Sequence, residues 1–417
     1  MRQSADSFSL LIFVVAFACG ISQIFSKAAF GFGPGWEAVA IAKELSRTGA
    51  YANPFQSGAS GATAVIAPLF PVYLATLIKL LGDTPAFAFV AIVATVIAQA
   101  LHAALLPRVS LLFFGEAEPG IVAGLLSAFA FRLMPQWDAA FTACGLLLFI
   151  LNANPLTWRA SAVGGVAAGL LLLTNPATIL ITGPWMVYLC WRLGWQSSAS
   201  FIRVAGFGAL VFLTALPWML RNDSTLKTFS VKDNFGMTVY ASNNDCSKSS
   251  LAASRANGCY DAMHPNSSVR ELRILNQLGE ARYDSVRTGD TVRWVRSHPH
   301  AFARLTVGRM FEFWFPQAAP LYSTFTIWAA TGFGVPGLIL LMYRRIPVSL
   351  YIIAVSAAYP LLYYIVVADV RYRYPLLWLS LLCAGYLLSD LVGHPVPILS
   401  RLSHLRTAGP PPHRATR

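Results

Sequence analysis

A chain of 417 residues that is 56% hydrophobic and only 12% charged, with a mean hydropathy of +0.56, is not a soluble globular domain, which carries roughly a quarter charged residues. This composition belongs to a protein that crosses a bilayer several times. The formal net charge of +13 falls largely in connections, an outer loop and a basic tail, and no nucleic-acid partner is expected.

The first apolar run, FSLLIFVVAFACGISQIF at 8 to 25, follows a short N-terminus carrying Arg2 and has no small-x-small site ahead of a polar stretch. It reads as an uncleaved anchor. Residues 36 to 48 then read as a helix opening on Glu37, followed by a Gly/Ser loop and an apolar stretch, 65 to 81, interrupted by Pro68 and Pro71. Runs approaching or reaching helix-spanning length, about 17 to 25 residues, follow at 86–106, 119–135, 139–153, 160–174, 176–192, 202–220, 323–343, 347–367 and 375–393. Arg108, Arg159, Arg192, Arg203 and the Arg344/Arg345 pair in the connections mark the cytoplasmic side. With Glu37 outside and Arg108 inside, one of the two intervening apolar stretches cannot cross. The weaker, 65 to 81, is assigned to an interfacial element of a first external loop, 27 to 85.

The expected fold class is therefore an all-α polytopic membrane protein with about ten to eleven membrane segments. Its expected parts are an N-terminal module at 1–220, an external loop domain at 221–320, further membrane helices at 321–393 and a basic, Pro-rich cytoplasmic tail at 394–417. No internal repeat is evident, which argues against an inverted-repeat transporter.

Residues 221 to 320 hold 13 of the 31 Lys/Arg, offset by nine acids. They are read either as a solvated mixed-charge domain or as a domain with a few cations turned toward a lipid phosphate. Residues 269 to 296 read as one helix, and 297 to 315 as an amphipathic helix with Arg304 and Arg309 polar and Phe302, Leu305, Phe311, Phe313 and Trp314 apolar. Cys246 and Cys259 lie in this polar loop and are a disulfide candidate if it faces an oxidising compartment. Cys19, Cys144, Cys190 and Cys383 fall in apolar runs.

Two acids open helices on the same outer surface, Glu37 and Asp138, each preceded by a tryptophan, Trp36 and Trp137. Each has a plain reading as a carboxylate meeting a helix N-terminus. Together they suit proton abstraction from an incoming hydroxyl or amine, one acid taking the proton and the other orienting. A departing phosphate would need cations, which Arg221, Arg371 and Arg373 supply beside the bilayer. No metal or other cofactor is expected, because two acids with neither a histidine nor a third carboxylate nearby make a weak Mg²⁺ or Mn²⁺ site.

At these residues the chain resembles bacterial membrane glycosyltransferases of the GT-C class, in the protein O-mannosyltransferase and aminoarabinose transferase superfamily, glycosyltransferase family 39-like. WEAVAIAKELSRTGAYANPF followed by TAVIAPLFPVYLATLIKLLG is similar to that family's first external loop, and QWDAAFTACGLLL to its second acidic motif. LLLTNP, LPWMLRN, NFGMTVYASNN, MHPNSSVREL, LGEARY, HPHAFARLTVGRMFEFW and RYRYP resemble later landmarks, in order over about 340 residues. The chain departs from the pattern at Met237 and Thr238, where an acid is expected after NFG, and at PLLW after RYR.

The resemblance implies a GT-C type helical bundle and a catalytic base at Glu37, with Asp138 as the second acid. It also implies a sugar donor carried on polyprenyl phosphate, acting at the exterior or periplasmic face of a bacterial cytoplasmic membrane. Arg221, Arg371 and Arg373 are then expected at the donor phosphate, and Trp36, Tyr51, His264, Glu280, Phe32 and Phe55 along the sugar or prenyl path. A transporter or flippase for an anionic lipid-linked saccharide is the alternative, and a non-catalytic scaffold a third.

Overall fold

The computed structural model describes residues 2–26, 36–153, 157–192, 198–317 and 320–393; Phe32 and the tail from 394 lie outside them. The described residues are helical apart from loops, two short 3-10 turns and two isolated β-bridges. The elements run α1 (Arg2–Ser26), α2 (Glu37–Thr48), α3 (Leu69–Leu81), α4 (Pro85–Phe114), α5 (Glu118–Ala130), α6 (Ala139–Asn152), α7 (Trp158–Thr174), α8 (Ile179–Arg192) and α9 (Ser198–Leu226). The outer segment contributes α10 (Phe235–Ser242), α11 (Leu251–Ala256), α12 (Cys259–Met263), α13 (Val269–Leu278), α14 (Glu280–Ser297) and α15 (Pro299–Trp314). Last come α16 (Leu321–Tyr343), α17 (Val348–Tyr364) and α18 (Tyr374–Gly393).

Ten helices, α1, α4 to α9 and α16 to α18, alternate in direction between two ends of a bundle. Five are long and apolar enough to cross a membrane individually: α1, α4, α9, α16 and α18; α3, α5, α6, α7 and α17 are shorter apolar helices. Water is absent from a bilayer, so helix association there depends on close packing and small residues. A Cβ on Gly337 would strike the Cys383 carbonyl, and one on Gly385 the Pro119 carbonyl, so these glycines bring α16 and α5 against α18. At the bundle's heart Phe113, Trp185, Tyr351 and Trp378 pack as rings 5.1 to 6.1 Å apart.

The segment expected not to cross, 65 to 81, is helical only at α3, 13 residues long. It packs Phe70, Leu74, Ala75 and Ile78 against Ala38, Val39 and Ala42 of α2. Helix α2 itself is amphipathic and stops at Gly49, whose φ of 78° suits a residue without a Cβ.

Three elements differ from the sequence reading. The expected span 119–135 is helical only to Ala130, because the backbone turns extended at Phe131, with ψ of 131°, and Pro135 follows in the connection to Asp138. The single helix expected over 269–296 breaks at Gly279, with φ of 77°. In α15, Leu305, Arg309 and Phe313 are buried while Phe311 is 65% exposed. Arg309, expected on a polar face, instead donates to Asn243 Oδ1 at 2.9 Å and to the Ser242 carbonyl.

The first external loop and the outer segment clasp one another. The Gln56 amide donates to Asn266 Oδ1 at 3.1 Å, Asn276 Nδ2 to the Ala59 carbonyl at 3.0 Å, and Ser57 to the Pro265 carbonyl. Cys246 and Cys259 are joined by a disulfide, with Cα atoms 5.7 Å apart.

Candidate functional site

A cavity of about 340 Å³ opens where the N-terminal ends of α2 and α6 and the C-terminal end of α7 meet the connection after α17 and the start of the segment between α9 and α16. Such a volume is at the lower end of the roughly 300–1,000 Å³ of small-ligand sites. Glu37 and Asp138 both line it, together with Lys232, His264 and Arg371. An apolar side is formed by Val65, Ile66, Ala67, Phe70, Phe235 and Met237.

Glu37 is the first residue of α2, with Trp36 as an N-cap that offers no side-chain cap. Burial pushes its carboxyl above the ordinary glutamate range, against the lowering effect of its own backbone hydrogen bond and of Arg371, Arg255 and Lys232. Asp138 precedes α6, and its Oδ2 accepts from Thr142 Oγ1 at 2.9 Å and Asn175 Nδ2 at 3.1 Å. Those two bonds fix one oxygen between α6 and the end of α7.

The two tryptophans before the acids touch edge to face, with centroids 5.4 Å apart. The Arg371 guanidinium lies over the Trp137 ring at 3.3 Å. Arg371 sits in a 3-10 turn, Val370–Tyr372, capped by Asp369, whose carboxylate accepts from the Arg371 amide at 3.0 Å. The strand-like stretch before it is pinned to the outer segment: the Leu251 amide donates to the Ala368 carbonyl, and the Ala368 amide to the Ser249 carbonyl, each at 2.8 Å. Arg371 is held protonated, since neighbouring Tyr372, Asp369 and Glu37 outweigh the burial that lowers its pKa. Lys232 is pushed below the ordinary lysine range by burial and by Arg371, while Asp138 and Glu37 hold it up.

His264 is buried at the cavity wall, stacked on Tyr260 with centroids 5.1 Å apart, and its Nδ1 accepts from the Asn266 amide at 3.2 Å. Burial, Arg255 and Arg371 lower its pKa to about 3, so it is a neutral group near pH 7. Tyr363 and Tyr372, stacked at 4.5 Å, complete an aromatic face.

Several residues named from sequence lie elsewhere. Arg221 donates to the carbonyls of Thr63 at 2.7 Å and Tyr51 at 3.0 Å, with its guanidinium 4.9 Å from the Trp218 ring centre; it holds the first loop to α9. Tyr51 is buried and donates to the Ile66 carbonyl at 2.8 Å. Glu280 accepts from Thr63 Oγ1 and the Ala64 amide, both at 2.6 Å. Phe55 belongs to a small core with Val65, Met237 and Leu272. Arg373 is fully buried, over the Trp314 ring at 4.4 Å and bonded to Ser380. The Trp36 ring packs against Trp137 and under Arg255, behind the residues that line the cavity.

Sequence reasoning gave no role to Lys232, Asn175, Tyr260 or Tyr363, all of which line the cavity. The signals were present: Lys232 stands two residues before NFG, and Asn175 lies in LLLTNP. Among the described residues, no group of three or more His, Cys, Asp or Glu converges as a metal cage.

Chemically, the cavity sets two carboxylates against two cations beside an apolar wall at one end of a membrane bundle. The fold that carries it is an all-α polytopic membrane fold. The solved structures it is similar to include three of the oligosaccharyltransferase AglB from Archaeoglobus fulgidus, each with a TM-score of 0.54 and 13% identity. The complex with an inhibitory peptide and a dolichol-phosphate is matched over 98% of this chain and 52% of that one. The complex with Zn and sulfate is matched over 95% and 51%, and the apo form over 97% and 52%. At this identity the likeness is one of fold, and the chain spans about half the length of these structures. No family model matches the sequence, and no curated protein does.

Proposed function

We propose that the protein is an inverting membrane glycosyltransferase that moves a sugar from a polyprenyl-phosphate donor to an acceptor. The site is placed at the outer face of a bacterial cytoplasmic membrane, and the family-39-like kinship suggested by motif order is part of the same proposal. The observation that carries it is the meeting of Glu37, Asp138, Lys232 and Arg371 around one cavity. The fold shared with AglB, one of whose structures contains a dolichol-phosphate, supports a lipid-phosphate donor.

The acceptor O–H gives its proton to Glu37 as its oxygen attacks the anomeric carbon, and the bond from that carbon to the phosphate oxygen breaks on the opposite face. The phosphodiester donor thereby becomes a phosphate monoester with one more negative charge. Lys232 and Arg371 are placed to stabilise that charge as it develops, so the reading calls on no metal. Asp138, with one oxygen fixed by Thr142 and Asn175, orients the acceptor or sugar. Arg221 and Arg373, engaged elsewhere, support the scaffold.

The test is release of polyprenyl phosphate from a lipid-linked sugar by purified protein in liposomes, comparing the natural protein with Glu37→Gln and Asp138→Asn. Turnover by the natural protein, reduced about 10²–10⁴-fold in Glu37→Gln and clearly reduced in Asp138→Asn, is expected. Movement of intact donor across the bilayer without cleavage would replace this reading with transport.

A further inference from the structure

A second opening lies on the far side of the backbone that carries Arg371. It is a groove of about 680 Å³ between the disulfide-closed loop and α15. Gly308 makes the approach possible, because a Cβ there would come within 2.9 Å of the Ser249 side chain. Two exposed cations from different elements, Lys248 and Arg304, line the groove, and among the described residues neither belongs to an ion pair. The buried Ser247, 8% exposed, also lines it, and its hydroxyl has no hydrogen-bond partner among the described residues. Glu312 lies in the same groove. This carboxylate would accept from sugar hydroxyls. Cations for an anion beside a carboxylate and serine for hydroxyls describe a charged polyol.

We propose that this groove binds an acidic saccharide, the charged portion of the acceptor. Calling that saccharide the acceptor rests on the transferase reading; its binding does not. Ser249 and Ser250 line the groove and pair with Ala368, and Val366, two residues before it, lines the cavity. A saccharide seated here abuts the segment that presents Arg371.

The experiment is titration calorimetry on purified protein in phosphatidylcholine nanodiscs, with trigalacturonate against neutral maltotriose. Trigalacturonate is expected to bind about tenfold tighter or better, and Lys248→Ala/Arg304→Ala to lose about tenfold in affinity with an unchanged melting temperature. Equal affinity for the two sugars, or natural affinity in the double variant, overturns the proposal. So does a Lys248- and Arg304-dependent response to phosphatidylglycerol in the nanodisc without a response to the saccharide, which would make the groove a lipid-headgroup site. Saccharide binding with no turnover of donor removes the transferase reading and leaves the site. Glu37-dependent transfer with no saccharide binding does the reverse.

Discussion

At the scale of single residues, the proposed base must be ionised to act, and Glu37 sits where ionisation is resisted. Burial raises its pKa, and Arg371 is the foremost charge working in the other direction. Transfer therefore falls as pH drops through a value above the ordinary glutamate pKa of about 4.3. Arg371→Gln removes a charge that stabilises the carboxylate, so the acidic limb moves to higher pH while kcat/KM falls by about 10²–10³. A pH–rate profile checks both, and an unmoved limb would separate Arg371 from the base. Glu37 and Asp138 were legible in the chain because each opens a helix after a tryptophan, and Arg371 because it is a cation beside the bilayer, a criterion that also picked out Arg221 and Arg373. Lys232 was one of 13 cations in a mixed-charge segment, set apart in the sequence by nothing but its place two residues before NFG. Arg221 was misleading for the opposite reason: a cation at a membrane boundary can serve backbone carbonyls as readily as a phosphate.

At the scale of elements, the first loop is latched by the N-terminus of α14. Glu280 receives Thr63 and Ala64 there, and burial chiefly raises its pKa to about 7, with Asp233 adding to the effect. An acid whose folded pKa is raised holds its proton more tightly in the folded state, so its effect on stability is most favourable below the unfolded pKa. That advantage is lost as pH rises from about 4.3 toward 7. Glu280→Gln should flatten the fall in melting temperature between pH 5 and pH 8, with Asp233, raised to about 6, keeping part of the slope. A slope unchanged in the variant would rule out Glu280 as its source. The disulfide closes a loop of 13-residue separation that carries the partners of Ala368, and Tyr260 follows directly on Cys259. Cys246→Ser/Cys259→Ser should lower stability by about 3 kcal/mol and speed amide exchange across 244–264 and at Ala368. Hydrophobic periodicity located α13 to α15 but missed the break at Gly279, since a single glycine inside a helical pattern does not disclose its φ. On α15 it placed Arg304, Leu305 and Phe313 but not Arg309 and Phe311, because the burial of Arg309 depends on acceptors 66 and 67 residues away.

At the scale of the molecule, the charges segregate to the two ends of the bundle. One end holds Arg108 with Asp6 at 3.1 Å and Arg344 with Asp390 at 2.7 Å; the other holds the cavity and the outer segment. The alternation of helices was readable because Lys and Arg recur in alternate short connections, as expected of a single side of a membrane, and because two prolines mark the weak stretch before α4. The lengths of α5 and α6 were less readable, since apolar runs do not show where helical hydrogen bonding stops. This segregation makes sidedness testable without any substrate. Asp223 lies near the outer end of α9 and Glu116 between α4 and α5, both exposed. A membrane-impermeant maleimide should label Asp223→Cys in intact cells and Glu116→Cys only after permeabilisation; the native cysteines are either disulfide-bonded or lie in apolar helices. The reverse pattern would place the cavity in the cytoplasm, with access to the opposite leaflet, and the donor would then have to be sought there. Equal labelling of both positions in sealed cells would mean that the two ends of the bundle do not lie on opposite sides of the membrane. The assignment of α3 as a non-crossing helix would then fall as well, because the alternation of all later helices depends on it.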